Sequence, residues 1–287
     1  MANARIGIIG GTGLYQMEGV EELREIRVET PFGDPSDAIF AGRLGEAEVF
    51  FLPRHGRGHR FTPSEVPYRA NVYALKKLGV EWIISVSAVG SLREEIAPGH
   101  VVLVDQFIDR TRLRPSTFFG DGLVAHVAFG DPVCPVLRGA LLRAAGEAGA
   151  VHHDGGTYVC MEGPAFSTRA ESELYRSWGA SVIGMTNLPE AKLAREAEIS
   201  YATLAMATDY DCWFAGHDSV TVDQVVAVLN ANVALAQRII KGAVPRILAH
   251  DGPPPARGAL ATAVLTERSA IPAAKQALLH VLTGREG

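Results

Sequence analysis

Two aspartates, Asp209 and Asp211, stand at the end of an apolar run that is typical of a buried β-strand. Their spacing of two residues puts both carboxylates on the same side if the strand continues through them. Two carboxylates held together suit hydrogen-bond donors on a ligand, or acid chemistry in which a proton is shared. An isolated pair of this kind is more often a polar turn or a helix cap, so the functional interpretation depends on the rest of the chain.

Two further motifs could bind an anion. Gly-Gly-Thr-Gly at residues 10–13 follows a short β-branched run and could turn backbone N–H groups toward an anion, although a plain tight turn is the alternative. Three arginines and two histidines lie within residues 54–60, where a solvated charge run is the alternative. Their position after an apolar run favours an anion site, with Arg54 as a bidentate phosphate ligand. A dinucleotide site is not favoured, because the G-x-G-x-x-G spacing is not met.

The elements that must position these residues alternate along the chain. Apolar runs predict strands over residues 4–9, 38–44, 46–52, 82–86, 101–104, 182–183 and 199–207, and a strand within residues 151–161. Helical spacing and composition predict helices over residues 67–78, 134–148, 170–178, 190–198 and 222–243. Thr186 or Asn187 is expected to cap the helix at 190–198, with Pro189 in its first turn.

This alternation predicts an α/β fold: a single domain with a central mixed β-sheet flanked by helices. Ligands of such sheets bind beyond the carboxyl ends of the strands, where the polar and glycine-rich motifs lie. Residues 1–250 are expected to form the domain. Residues 251–287 are expected to be a Pro/Gly linker and a C-terminal helical tail packing on the same domain. The long loop at 112–133 predicts a functional or interface role.

The composition is that of a soluble globular protein, with 47% hydrophobic and 21% charged residues among 287. A formal net charge of −5 gives no indication of a nucleic-acid or anionic-membrane surface. No apolar run approaches the roughly 18 residues of a membrane span, and no signal peptide is visible. Three cysteines, far apart and without a CxxC motif, fit a reducing compartment, so a cytoplasmic location is expected.

Taken together, the motifs resemble the nucleoside phosphorylases of the trimeric purine type. The resemblance is carried by residues 10–13, 30–37, 54–57, 90–96, 105–111 and 162–167. Met-Thr-x-x-Pro-Glu at 185–190 and Met-Ala-Thr-Asp-Tyr-Asp-Cys-Trp at 206–213 are similar to the 5′-methylthioadenosine phosphorylase branch of that family. The match runs in order from about residue 5 to about residue 248, which makes it specific although each piece alone is weak.

The resemblance implies a nucleoside phosphorylase-like fold and a phosphate-dependent cleavage of the N-glycosidic bond of 5′-methylthioadenosine. The products would be adenine and 5-methylthioribose 1-phosphate, in methionine and purine salvage. Inorganic phosphate is then a co-substrate, and no metal and no organic cofactor is expected. The resemblance also implies a homotrimer with a shared active site, and partners that are a small-molecule nucleoside and phosphate, with no nucleic acid and no membrane.

The resemblance also implies roles for individual residues. Asp209 and Asp211 would be catalytic and would meet N7 and the 6-amino group of adenine. The implied phosphate ligands are Thr12, Arg54, His55, Ser87, Ala88 and Thr186. The implied nucleoside contacts, besides the two aspartates, are Phe166, Ile183, Met185, Val222, Val225 and, from a neighbouring subunit, His126. The apolar side chains of Val222 and Val225 suit a methylthio group better than a hydroxyl.

Asp209 bears on the choice of base. The family usually has Asn at this position, whose amide can donate to O6 of a 6-oxopurine, whereas O6 repels a carboxylate; Asp209 therefore favours adenine. Two alternatives stay open: a phosphorylase for adenosine or another 5′-substituted 5′-deoxyadenosine, and a non-catalytic nucleoside-binding protein on the same fold. Asn187 also departs from the residues common in the family, with no predicted effect.

Overall fold

The computed structural model describes residues 4–11, 13–214 and 222–284, without the side chains of Tyr15 and of residues 222–230. Its strands are β1 (Arg5–Gly10), β2 (Glu21–Ile26), β3 (Ile39–Leu44), β4 (Ala47–Pro53), β5 (Trp82–Ser91), β6 (Val101–Leu103), β7 (Gln106–Asp109), β8 (His152–Asp154), β9 (Thr157–Cys160), β10 (Val182–Gly184) and β11 (Ser200–Tyr210). Its helices are α1 (Tyr68–Lys77), α2 (Pro135–Glu147), α3 (Arg169–Ser177), α4 (Asn187–Glu196), α5 (Val222–Leu248) and α6 (Ala273–Thr283).

The strands form one mixed sheet. The order β2-β3-β4-β1-β5-β10-β9-β7 forms its main path, and β11 joins it by pairing with β5 and β6. The neighbouring strands β4, β1, β5 and β11 run parallel, so their carboxyl ends share one edge of the sheet. The motifs at residues 10–13, 54–60 and 209–211 begin at or next to these ends, as predicted for a ligand site in an α/β fold.

Helices cover both faces of the sheet. On one face α1, α4 and α6 contribute to an apolar cluster that includes Leu75, Leu193 and Leu278. On the other face α2 and α5 contribute to a second cluster that includes Leu141 and Ile240. The predicted α/β fold with a central mixed sheet is therefore confirmed. In the described part of the chain, no helix combines the length and apolar character needed to cross a membrane.

The C-terminal residues pack on the body of the protein and on the loop at 112–133. Leu278 and Leu282 of α6 are buried in the same cluster as the body residues. His126 donates its backbone N–H to the Ala263 carbonyl at 2.9 Å, and Leu265 donates to Val124 at 2.9 Å. The tail therefore fixes the backbone beside His126.

The run at 151–161 contains two strands, because Gly155 and Gly156 adopt positive φ angles and separate β8 from β9. One local prediction was wrong. Neither Thr186 nor Asn187 caps α4 through its side chain. Asn187 is instead fully buried, and its Nδ2 donates to Ser85 Oγ at 3.0 Å and to the Tyr201 hydroxyl at 2.9 Å.

Glu196, at the end of α4, makes the stability depend on pH. Its buried carboxylate accepts from Phe118 N–H and from Thr117 Oγ1, each at 2.7 Å, yet burial raises its pKa to about 7 from the usual 4.5. Because the folded state holds this proton more tightly, the stabilisation is present below pH 4.5 and is lost as the pH rises through about 7.

We expect Glu196→Gln to abolish a pH-dependent loss of about 3 kcal/mol in the free energy of unfolding. Gln is neutral throughout the range, so the free energy of unfolding of the variant should rise relative to that of the wild type as the pH rises. Urea unfolding of both proteins at about pH 5 and about pH 8 measures the difference. Equal changes in the two proteins would show that Glu196 does not titrate in this range.

Candidate active site

The register between β5 and β11 brings the two aspartates together. Asp209 pairs with Gly90 after an irregularity that follows Ala207, and Asp211 donates its N–H to the Ser91 carbonyl at 3.0 Å. A side-chain methyl at Gly90 would lie 3.7 Å from Asp209 Oδ2 and 3.5 Å from Asp211 Cβ. Both aspartates therefore adjoin the backbone at Gly90.

The surroundings of this pair favour a protonated carboxyl group. Burial raises the pKa of Asp209, and the negative charge of Asp211 raises it further, against the hydrogen bond from Thr208 Oγ1 to Asp209 Oδ1 at 2.6 Å. Asp211 is itself buried, and its Oδ2 has no hydrogen-bond partner among the residues that the structure describes. A buried acceptor without a donor is costly, so this oxygen suits a donor on a ligand.

Arg54 follows β4 and lies fully inside the protein. Its guanidinium is 2.9 and 3.1 Å from the two carboxylate oxygens of Glu190, and it also donates to Ser85 Oγ at 2.7 Å and to the Val86 carbonyl at 2.9 Å. Arg54 thus forms its bidentate interaction with Glu190, whereas the sequence predicted a bidentate interaction with phosphate. Nη1 donates to a single described acceptor, Val86, which leaves one of its two N–H groups for a ligand.

Two hydroxyl groups from different elements meet near the middle of β5. Ser87 Oγ lies 3.4 Å from Thr186 Oγ1, and both residues are buried. Ser87 Oγ also lies 3.1 Å from the hydroxyl of Tyr158, a residue that the sequence analysis did not identify. Tyr158 fits because Gly184, which its hydroxyl contacts, has no side chain. The arrangement offers hydroxyl donors to an anion.

His55 follows Arg54 directly after β4. Its Nδ1 lies 2.9 Å from the Phe61 carbonyl, and its ring stacks on His59 with centroids 4.3 Å apart. Burial, together with the charge of Arg54, lowers its pKa to about 4 from 6.5. His55 is therefore neutral at pH 7, with the proton on Nδ1, because a carbonyl can only accept.

The remaining predicted residues are more scattered. Ile183 is buried on β10 and Met185 follows half-buried, whereas Ala88, Phe166 and His126 are exposed. Phe166 is 82% exposed, so it covers nothing in the isolated chain. Thr12 and the side chains of Val222 and Val225 lie outside the described residues. Within those residues, no group of three His, Cys, Asp or Glu side chains is placed to hold a metal ion.

We expect Gly90→Ala to raise the KM for a nucleoside about tenfold, because the added methyl would lie 3.7 Å from Asp209 Oδ2 and 3.5 Å from Asp211 Cβ. The methyl also comes within 3.2 Å of Ile183 Cγ2, a contact that a small shift relieves. Gly130→Ala is the matched control, since a methyl there has no neighbour within 4 Å. Steady-state kinetics of both variants decide, and an unchanged KM in Gly90→Ala would place the base elsewhere.

Comparisons with known proteins agree with this geometry. Residues 5–245 match the family model described as the phosphorylase superfamily. The chain is 61% identical to the S-methyl-5′-thioadenosine phosphorylase of Geobacter sulfurreducens, over 97% of this chain and 98% of that one. It is 58% identical to the protein of the same name from Thermosynechococcus vestitus, over 98% and 99% of the two chains.

Solved structures give the same result. A methylthioadenosine phosphorylase from an antarctic soil metagenomic library superposes with a TM-score of 0.94 at 52% identity, covering 98% of this chain and 99% of that one. A mutant of the Schistosoma mansoni adenosine/methylthioadenosine phosphorylase, in complex with methylthioadenosine, superposes with a TM-score of 0.79 at 39% identity, covering 87% and 93%. The chain therefore belongs to the phosphorylase superfamily and, within it, to the family of the S-methyl-5′-thioadenosine phosphorylases.

Proposed function

We propose that the protein cleaves the N-glycosidic bond of 5′-methylthioadenosine with inorganic phosphate, giving adenine and 5-methylthioribose 1-phosphate. The observation that carries the proposal is the aspartate pair beside Gly90, in which Asp209 has a raised pKa and Asp211 has an unpaired buried oxygen. The names and bound nucleosides of the similar proteins support the substrate. Methionine and purine salvage is the corresponding role.

At the base, protonated Asp209 donates to N7 of adenine while Asp211 accepts from the 6-amino group. As the bond between C1′ and N9 breaks, its electron pair moves to the base and the sugar becomes oxocarbenium-like. A proton held at N7 neutralises the leaving base, so the stabilisation is larger in the transition state than in the bound substrate. Burial and the charge of Asp211 raise the pKa of Asp209, which favours the protonated carboxyl group that this step requires.

At the sugar, an oxygen of phosphate stabilises the positive charge and then forms the new bond to C1′. We place the phosphate at the hydroxyl groups of Ser87 and Thr186, beside the free N–H of Arg54. Neutral His55 would accept through Nε2 from a protonated phosphate oxygen. Thr12 and Ala88 complete the proposed phosphate ligands. We propose no metal and no organic cofactor.

The remaining contacts surround the sugar and its 5′ group. Ile183 and Met185 would adjoin the ribose, and Phe166 would pack on the base. Val222 and Val225 would enclose the methylthio group, together with His126 of a neighbouring copy in a homotrimer. The exposure of Phe166 (82%) and of Leu113 (80%) is consistent with burial between copies. Free cysteines, including the exposed Cys212, are consistent with a cytoplasmic enzyme.

A substrate panel tests the proposal. Release of the base from methylthioadenosine, adenosine and inosine is followed with and without phosphate. We expect adenine from methylthioadenosine only with phosphate, at a kcat/KM about tenfold or more above that for adenosine, because a hydroxyl is less suited to an apolar 5′ pocket. A preference for adenosine would support the alternative substrate, and a preference for inosine would contradict the role of Asp209.

A further inference from the structure

A buried carboxylate that the proposed reaction does not use lies behind the phosphate ligands. Glu190 of α4 is 1% exposed and accepts four hydrogen bonds. Two come from Arg54, at 2.9 and 3.1 Å, and the others come from Ser85 Oγ at 2.6 Å and the Tyr201 hydroxyl at 2.9 Å. This number of donors around one carboxylate fixes its position.

Asn187 extends the same network. Its Nδ2 donates to Ser85 Oγ and to the Tyr201 hydroxyl, the two groups that donate to Glu190. Both hydroxyl groups donate to Glu190, because a carboxylate can only accept, while their oxygens accept from Asn187. The residue that departs from the family's usual choice thus supports Glu190.

We propose that Glu190 is a positioning residue for the phosphate co-substrate, and that Asn187, Ser85 and Tyr201 hold it in place. The inference rests on the proposed function. Nε and Nη2 of Arg54 donate to Glu190. The guanidinium can therefore present only Nη1, which carries the free N–H, to the anion. Because Glu190 already holds the guanidinium of Arg54, the side chain loses little conformational freedom when phosphate binds. This is the advantage of a preorganised donor.

Glu190→Gln tests the proposal. Gln keeps the size of Glu but replaces one oxygen by an N–H donor, which opposes an Arg54 N–H and turns the guanidinium. We expect the KM for phosphate to rise about tenfold or more, while the KM for methylthioadenosine changes by less than about twofold. The rise in melting temperature that phosphate alone produces should also shrink.

Glu196→Gln is the matched control, because Glu196 is a buried glutamate of the same helix whose carboxylate bonds to Thr117 and Phe118 instead. It should leave both KM values and the phosphate-induced shift as in the wild type. The proposal is overturned if Glu190→Gln only lowers the melting temperature and keeps the wild-type KM for phosphate and the wild-type shift. A purely structural role predicts that result.

Ser85→Ala carries the test if Glu190→Gln does not fold. It removes only a hydroxyl that lies 2.7 Å from Arg54 Nη2 and 2.6 Å from Glu190. We expect the KM for phosphate to rise about threefold, and no rise would overturn the proposal. The proposed function fails separately, if the wild type shows the phosphate-induced shift but releases no base. The shifts of the variants then still decide the role of Glu190.

Discussion

Replacing Asp209 with Asn is expected to lower kcat/KM for methylthioadenosine by about 10²–10³-fold, the usual contribution of a positioned general acid. Burial and Asp211 raise the pKa of Asp209, which favours the protonated carboxyl group that the proposed transfer to N7 requires. The amide of Asn can form a hydrogen bond there but cannot transfer a proton. Steady-state kinetics with saturating phosphate measure the loss.

The same variant should change the preferred base. The amide of Asn can donate to O6 of a 6-oxopurine, so the ratio of inosine to methylthioadenosine cleavage should rise. Asp109→Asn is the control. Asp109 lies on β7, which β9 and β10 separate from β5, and it pairs with Lys192. A small loss of kcat/KM in Asp209→Asn, equal to that of the control, would show that Asp209 does not take part in the reaction.

Replacing Arg54 with Ala is expected to lower the free energy of unfolding by about 3–5 kcal/mol, as when one partner of a buried ion pair is removed. Glu190 would keep its negative charge inside the protein without its cation, since the side chains of Arg54 and Glu190 are only 4% and 2% exposed. Phosphate-dependent activity of the folded fraction should fall as well. Chemical unfolding monitored by circular dichroism measures the stability.

Arg57→Ala is the matched control for this loss. Arg57 also forms ion pairs, with Glu25 at 2.7 Å and Asp37 at 3.0 Å, but its side chain is 44% exposed. Solvent screens the pair with Glu25, and the buried carboxylate of Asp37 keeps the backbone N–H groups of residues 57 and 38 as donors, so the unfolding midpoint of Arg57→Ala should stay near that of the wild type. Similar losses in the two variants would mean that burial of the Arg54 pair is not what makes it important.

Local patterns were sufficient to predict most of the fold and the aspartate pair. Apolar runs mark β1, β4 and β11 because strands in the middle of a parallel sheet are buried on both faces. The positions of Asp209 and Asp211 follow from the end of one such run and from the alternation of side chains along a strand. The shared edge of the sheet then brings in the motif around Arg54.

The partner of Arg54 could not be predicted in this way. Glu190 lies 136 residues away from it in the chain, and a charged side chain in a helix is usually exposed to solvent. Its position after Pro189 in the segment at 185–190 was the available signal. Asn187 was predicted to be a cap because short polar side chains before a helix usually bond to its first turn. The tertiary network of Glu190 overrides that preference.

The central claim is tested most directly by the fate of the phosphate. Methylthioadenosine and isotopically labelled phosphate are incubated with the enzyme, and adenine and labelled sugar phosphate are both quantified. We expect one labelled 5-methylthioribose 1-phosphate for each adenine released, and no adenine without phosphate. Release of adenine with unphosphorylated methylthioribose would mean that water attacks C1′, and would contradict both the reaction and the anion site around Arg54, Ser87 and Thr186.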